Sequence, residues 1–65
     1  MAGNAGALTL LLTPEEAARR LSIARSSLYE LVLTGEIESL KIGRSRRIPI
    51  DALTAFIERK RRDGA

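Results

Sequence analysis

Between Lys41 and Arg47 the chain carries four basic residues, Lys41, Arg44, Arg46 and Arg47, and no acid. Earlier, Arg25, Ser26, Ser27, Tyr29 and Glu30 place an arginine, two small hydroxyls, a phenol and a carboxylate close together. Such side chains bond phosphate oxygens and base edges, and small hydroxyls let a helix N-terminus come close to either. Covalent and acid–base chemistry is poorly served. The 65 residues include no His and no Cys, so the commonest metal ligand and the thiolate nucleophile are both missing. The carboxylates are accounted for by helix caps and ion pairs. A binding protein is expected, with no catalytic residues, no metal and no cofactor.

The elements that must position these groups can be read from the pattern. Leu28, Leu31 and Val32 stand three and four residues apart, which predicts a short helix with one apolar stripe. On a wheel of about 100° per residue, Ser26, Glu30 and Leu33 lie opposite that stripe. Arg25 and Tyr29 share one flank, and Ser27 and Thr34 the other. Gly35 supplies the left-handed residue that commonly ends a helix. S-L-K-I and R-R-I-P-I then read as two strands reversing around Gly43-Arg44-Ser45. Leu40 and Ile42 alternate with polar neighbours, and so do Ile48 and Ile50. Pro49 fits an edge strand or a strand end, because it cannot donate to a ladder.

Upstream, Thr13-Pro14-Glu15-Glu16 announces another helix: a threonine cap, proline at the first helical position, and glutamate three residues after the cap. Ala17, Ala18 and Leu21 form its inner face. Glu15 with Arg19 and Glu16 with Arg20 are i,i+4 pairs of about 0.2–0.5 kcal/mol each, which assigns both arginines first to helix support. Ser22-Ile23-Ala24 is a short turn that forces the two helices to cross steeply. After the hairpin, Asp51 opens a last helix whose Ile50, Leu53, Phe56 and Ile57 are expected to close the core. The run Arg59 to Arg62 is either the solvated end of that helix or a further phosphate contact.

Length and charge set the bounds. A chain of 65 residues is one small domain that buries only about 60% of the surface its unfolded form exposes. Residues 1–7 read as a flexible tail, 8–58 as the folded domain with Leu8 to Leu12 extended, and 59–65 as a basic tail. No stretch approaches the roughly 20 apolar residues of a membrane helix, and no signal peptide is expected. The net charge of +3 is distributed unevenly, with acids on the helices and bases gathered in the hairpin and near the end. Acid-free basic patches beside a helix suit a polyanion. Other readings stand beside this one: either serine caps its helix, Tyr29 packs across the core edge, and the hairpin's charges guard a sheet edge against aggregation.

The order of capped helix, turn, helix, K-I-G-R-x-x-R-I-P hairpin and amphipathic helix resembles the excisionase-type winged helix-turn-helix domains, related to the DNA-binding domain of MerR regulators. The likeness runs from about Leu11 to Ile57, carried by L-T-P-E-E-A-A-R-R-L, R-S-S-L-Y and K-I-G-R-S-R-R-I-P-I. It implies a mainly α winged helix-turn-helix with three helices and a two-stranded wing, the second helix entering the major groove of double-stranded DNA and the wing reaching the adjacent backbone or minor groove. Carried over by position, the contacts are Arg25, Ser26, Ser27, Tyr29 and Glu30 on the helix, with Arg44, Arg46 and Arg47 on the wing. Ala24 departs from a serine cap often found there, and Glu30 from a basic residue.

Small members of that family include recombination directionality factors of phages and mobile elements. The resemblance therefore implies a non-enzymatic, cytoplasmic protein, nucleoid-associated when bound, that binds and bends DNA beside neighbouring copies of itself and helps a site-specific integrase excise. Two alternatives remain at this point. One is a stand-alone transcriptional regulator; the other is an antitoxin-like or adaptor module using Leu33 and the basic tail on an acidic partner.

Overall fold

The computed structural model describes residues 10–64; the segment expected to be a tail, Met1 to Ala7, and the start of the extended segment at Leu8 lie outside the described residues. The elements, in order, are β1 (Leu11–Leu12), α1 (Pro14–Leu21), α2 (Arg25–Leu33), β2 (Leu40–Ile42), β3 (Ser45–Pro49) and α3 (Ile50–Gly64). This is a winged helix-turn-helix, mainly helical. Its hairpin β2–β3 is extended by β1 into a three-stranded antiparallel sheet of order β1-β3-β2.

Pro49 ends the central strand and not an edge. It faces Leu11, and the Ile50 N–H donates to the Leu10 carbonyl at 3.0 Å, which makes Leu11 and Pro49 a non-hydrogen-bonded pair. On its other side β2 has not yet begun, since Leu40 already pairs with Arg47. The missing N–H therefore removes no ladder bond.

Both helix-turn-helix helices are closed by specific backbone bonds. At the start of α1 the Thr13 N–H donates to Glu16 Oε1 at 3.0 Å and the Glu16 N–H donates to Thr13 Oγ1 at 3.1 Å. Pro14 sits inside the first turn. At the end of α1, Ser22 is left-handed (φ 59°), with its N–H on the Arg19 carbonyl and the Ile23 N–H on the Ala18 carbonyl, both 3.0 Å. That is a Schellman turn. It swings Ile23 back against the core. Helix α2 ends the same way: Gly35 (φ 83°) donates to Val32 O and Glu36 to Leu31 O.

The core consists of Leu12, Ala17, Ala18, Leu28, Ile37, Ile48, Ala52 and Leu53, with Leu21, Ile23, Leu31, Val32, Ile50 and Phe56 packed around it. One expected core assignment, Ile57, differs, and the apolar face of β2 turns away from the core. In α3, Ala52 is buried and Ile57 exposed, because Ile57 lies about 6 Å further along the axis than Leu53, where the helix has run past the core. In β2 the alternation is present but its apolar side faces outward, leaving Leu40 and Ile42 41% and 55% exposed. Lys41, opposite Arg46, shares the face of the buried Ile48, so Leu40 and Ile42 take the other.

The basic run Arg59 to Arg62, set in a basic tail and read as either the solvated end of the last helix or a further phosphate contact, continues α3. The Arg59 guanidinium donates to the Glu36 carbonyl, and Lys60 pairs with the Glu36 carboxylate at 3.1 Å while lying 5.6 Å from the Phe56 ring centroid. The end of α3 is thereby tied to the loop that follows α2.

Candidate nucleic-acid interface

Helix α2 is anchored by a single fully buried side chain, Leu28, and its outer surface is free. Arg25, Ser26, Ser27, Tyr29, Glu30 and Leu33 are all exposed, so no other part of the described chain covers the face expected to contact DNA. The cap position is Ala24, which makes no side-chain cap bond. Ser26 and Ser27 lie inside the first turn, so neither caps the helix. Their hydroxyls are on the surface next to the unsatisfied N–H groups that begin any helix.

Within this face of α2, Arg25 is held in place by other side chains. Its Nη2 lies 3.0 Å from Glu15 Oε2, and its guanidinium carbon lies 5.5 Å from the Tyr29 ring centroid, within cation–π range. The Tyr29 hydroxyl first, and the Glu15 carboxylate second, raise the Arg25 pKa above its ordinary value. The charge is permanent in any case. What the two partners add is a fixed orientation across the junction of α1 and α2.

The i,i+4 pairs expected on α1 do not close among the described residues. Glu15 turns to Arg25, and Glu16 accepts from the Thr13 backbone. That bond is the largest of the influences holding the Glu16 carboxyl below its ordinary pKa; partial burial opposes it, and the Thr13 hydroxyl, Arg19 and Arg20 reinforce it.

In the wing, Ile42 pairs with Ser45, leaving a two-residue loop, Gly43-Arg44. Only Gly43 has a positive φ (62°), the pattern of a type II′ turn, which matches the strands' twist. Arg44 therefore occupies the tip. Arg46 and Lys41 face each other on the side of the sheet where the helices pack, with Arg46 Nη1 donating to Ser39 Oγ at 3.0 Å. Arg47 projects to the opposite side beside Leu40, and its Nη1 donates to the Arg46 carbonyl at 3.0 Å. The three wing arginines thus do not form one surface. Lys41 and Arg46 are brought together, Arg44 extends beyond them, and Arg47 is turned away.

Sequence reasoning missed Glu15 as a partner of the α2 arginine. Only half of the signal was present: Glu16, as the capping glutamate, is committed to Thr13, which leaves its neighbour about 100° around the helix to point elsewhere, but the partner is set by the helix crossing. Among the described residues no three His, Cys, Asp or Glu side chains are grouped to hold a metal ion. No described helix is long and apolar enough to cross a membrane.

The fold and this face define a helix-turn-helix protein, and residues 11–61 match the family model described as "Helix-turn-helix domain". The chain is 52% identical over 50 residues to a "Probable excisionase" of Saccharopolyspora erythraea, covering 77% of this chain and 51% of that protein. It is 44% identical over 48 residues to an "Excisionase" of Streptomyces ambofaciens, covering 74% of this chain and 77% of that protein. The chain belongs to the excisionase family of helix-turn-helix proteins. It spans about half the length of the Saccharopolyspora relative. No solved structure gives a significant match.

Proposed function

We propose that this chain is a sequence-specific DNA-binding excisionase that acts without catalysis, binding and bending double-stranded DNA so that a site-specific integrase excises a phage or mobile element. The observation that carries the reading is the uncovered outer face of α2, with Arg25 oriented at its first turn, on a chain that also bears an acid-free basic wing. Helix α2 enters the major groove. Arg25 and Glu30 reach base edges, while Ser26, Ser27 and the Tyr29 hydroxyl bond phosphates or bases. Arg44 and Arg46 clamp the neighbouring backbone from the wing, and Arg47 makes a weaker contact from its far side.

The excisionase names of the two relatives favour recombination over transcriptional control. Bending follows from one-sided phosphate neutralisation and from neighbouring copies on adjacent sites. Leu33, 85% exposed at the end of α2, is the apolar contact such a neighbour or an integrase would use. The protein works in the cytoplasm, associated with the nucleoid when bound.

A gel-shift titration on duplexes flanking an element's recombination sites tests the reading. Stepwise, cooperative bands are expected, with log affinity falling against log salt at a slope of about −4 to −5 for roughly four to six phosphate contacts. A salt-independent affinity, or no binding to DNA beside a stable protein complex that changing Leu33 abolishes, would refute it in favour of an interaction module.

A further inference from the structure

Arg25 opens α2 and is the group best placed to read a base, yet an arginine on a flexible stem has no inherent preference for a base over a phosphate. The structure supplies the constraint from another helix. Glu15 Oε2 holds Nη2 at 3.0 Å, and Tyr29, one turn along α2, lies beneath the guanidinium at 5.5 Å. One amino group of the fork is thus taken by Glu15, and Tyr29 lies alongside the guanidinium. The guanidinium has five N–H donors, so a pair is left to match O6 and N7 of guanine.

Two features say what this arrangement is for. The side chains of Arg25 and Glu15 are 62% and 45% exposed, and an ion pair that wet contributes little to folding. Its acid also lies beside Arg25, next to the face proposed to meet DNA, where a carboxylate opposes approach to phosphate. A charge that weakens general DNA binding while orienting a reader raises discrimination at the expense of affinity.

We infer that Glu15 is a positioning residue for sequence readout: by fixing the Arg25 guanidinium against Tyr29 it makes Arg25 a base reader, and in its absence Arg25 becomes a general phosphate contact. The inference rests on the DNA-binding reading above. It extends the working surface to α1, a helix otherwise assigned to support.

The test uses the full chain, a preferred duplex selected from a randomised pool, and a scrambled duplex of the same composition. Dissociation constants are measured on both for the wild type, Glu15→Gln, Arg25→Lys and the double variant, with thermal unfolding as a separate control on folding. Glu15→Gln is expected to reduce the preferred-to-scrambled affinity ratio about 5- to 20-fold, a range within that of one lost bidentate contact. Binding to the scrambled duplex should be unchanged or tighter, with a log–log salt slope steeper by up to about one unit. Arg25→Lys, which keeps the charge and loses the fork, should reduce the ratio similarly, and the double variant should add little to either single change. A ratio that Glu15→Gln leaves unchanged, or equal losses on both duplexes, overturns the inference alone. A pool yielding no preferred sequence overturns it together with the DNA-binding reading.

Discussion

The α1–α2 unit and the wing are built to opposite standards. The first is closed by a capping box and two Schellman turns, anchored by the fully buried Leu28, and carries an arginine held from two sides. The wing buries Ile48 alone; every residue of β2 is exposed and its apolar side chains face away from the core. Rigid placement of a few groups suits base readout, where one misplaced donor loses a contact. Charge on a lightly packed hairpin suits phosphate, which tolerates variation in register. On the DNA-binding reading proposed above, specificity belongs to the helices and much of the affinity to the wing.

The largest effect that can break this contrast is on folding. Leu28→Ala should destabilise the domain by about 2–5 kcal/mol in chemical denaturation, as removal of a buried leucine side chain does. Ile42→Thr on the wing should change stability by no more than about 0.5 kcal/mol. Comparable losses at the two positions would mean that the wing is packed more firmly than its exposure indicates. Next comes affinity. Replacing Arg44, Arg46 and Arg47 together by alanine should flatten the log–log salt slope of DNA binding by roughly two to three units, while the melting temperature holds. Among the single variants, Arg47→Ala should have the smallest effect, because its guanidinium is turned to the far side of the sheet.

Local chemistry was readable from the sequence where a residue type has one conformational use. Thr13-Pro14-Glu15-Glu16 marked the start of α1, and Gly35 marked the end of α2. The outward face of α2 followed from its periodicity alone. Features decided by packing between distant segments were not readable. Period-two alternation says that Leu40 and Ile42 share a face, but which face depends on pairing with β3 and on where Ile48 meets Leu12. Glu15 had a local partner at i+4 and a tertiary one at Arg25, and the helix crossing decided between them. The end of α3 at Arg59 to Arg62 was one of two readings open in the sequence, but its tie to Glu36, which takes up both Arg59 and Lys60, was not readable. Ser22 carried no signal for a left-handed residue. There the packing of Ile23 against the core overrides the preference of serine.

The two Schellman turns allow a finer comparison within the rigid half. They share a bonding pattern, but one places serine and the other glycine in the left-handed position. A side chain there costs about 1–2 kcal/mol, partly offset by the smaller conformational freedom it leaves the unfolded chain. Ser22→Gly is therefore expected to stabilise by up to about 1 kcal/mol. Gly35→Ala should destabilise by about the same amount through the backbone alone, since a Cβ at Gly35 would meet no atom within 4 Å. In a domain of this size 1 kcal/mol moves the melting temperature by roughly 4–8 °C, which calorimetry resolves. Equal signs for the two substitutions would show that something other than backbone conformation governs these turns.

The smallest expected effect concerns pH and belongs to α1. Glu16 titrates below its ordinary value because its charged form accepts the Thr13 N–H. The unfolded chain, with the ordinary pKa, then binds more protons than the folded chain between the two values, so stability rises with pH through that window. The contribution is complete above the unfolded pKa and is lost as pH falls through the folded one. Glu16→Gln keeps an acceptor for the Thr13 N–H and removes the ionisation. Its deficit in melting temperature against the wild type should be greatest near neutrality and should close as the solution is acidified through the carboxylate range. A gap that stays constant would place the value of Glu16 in its shape and not its charge, and a gap that widens in acid would contradict the bond from Thr13 as the cause of the depressed pKa.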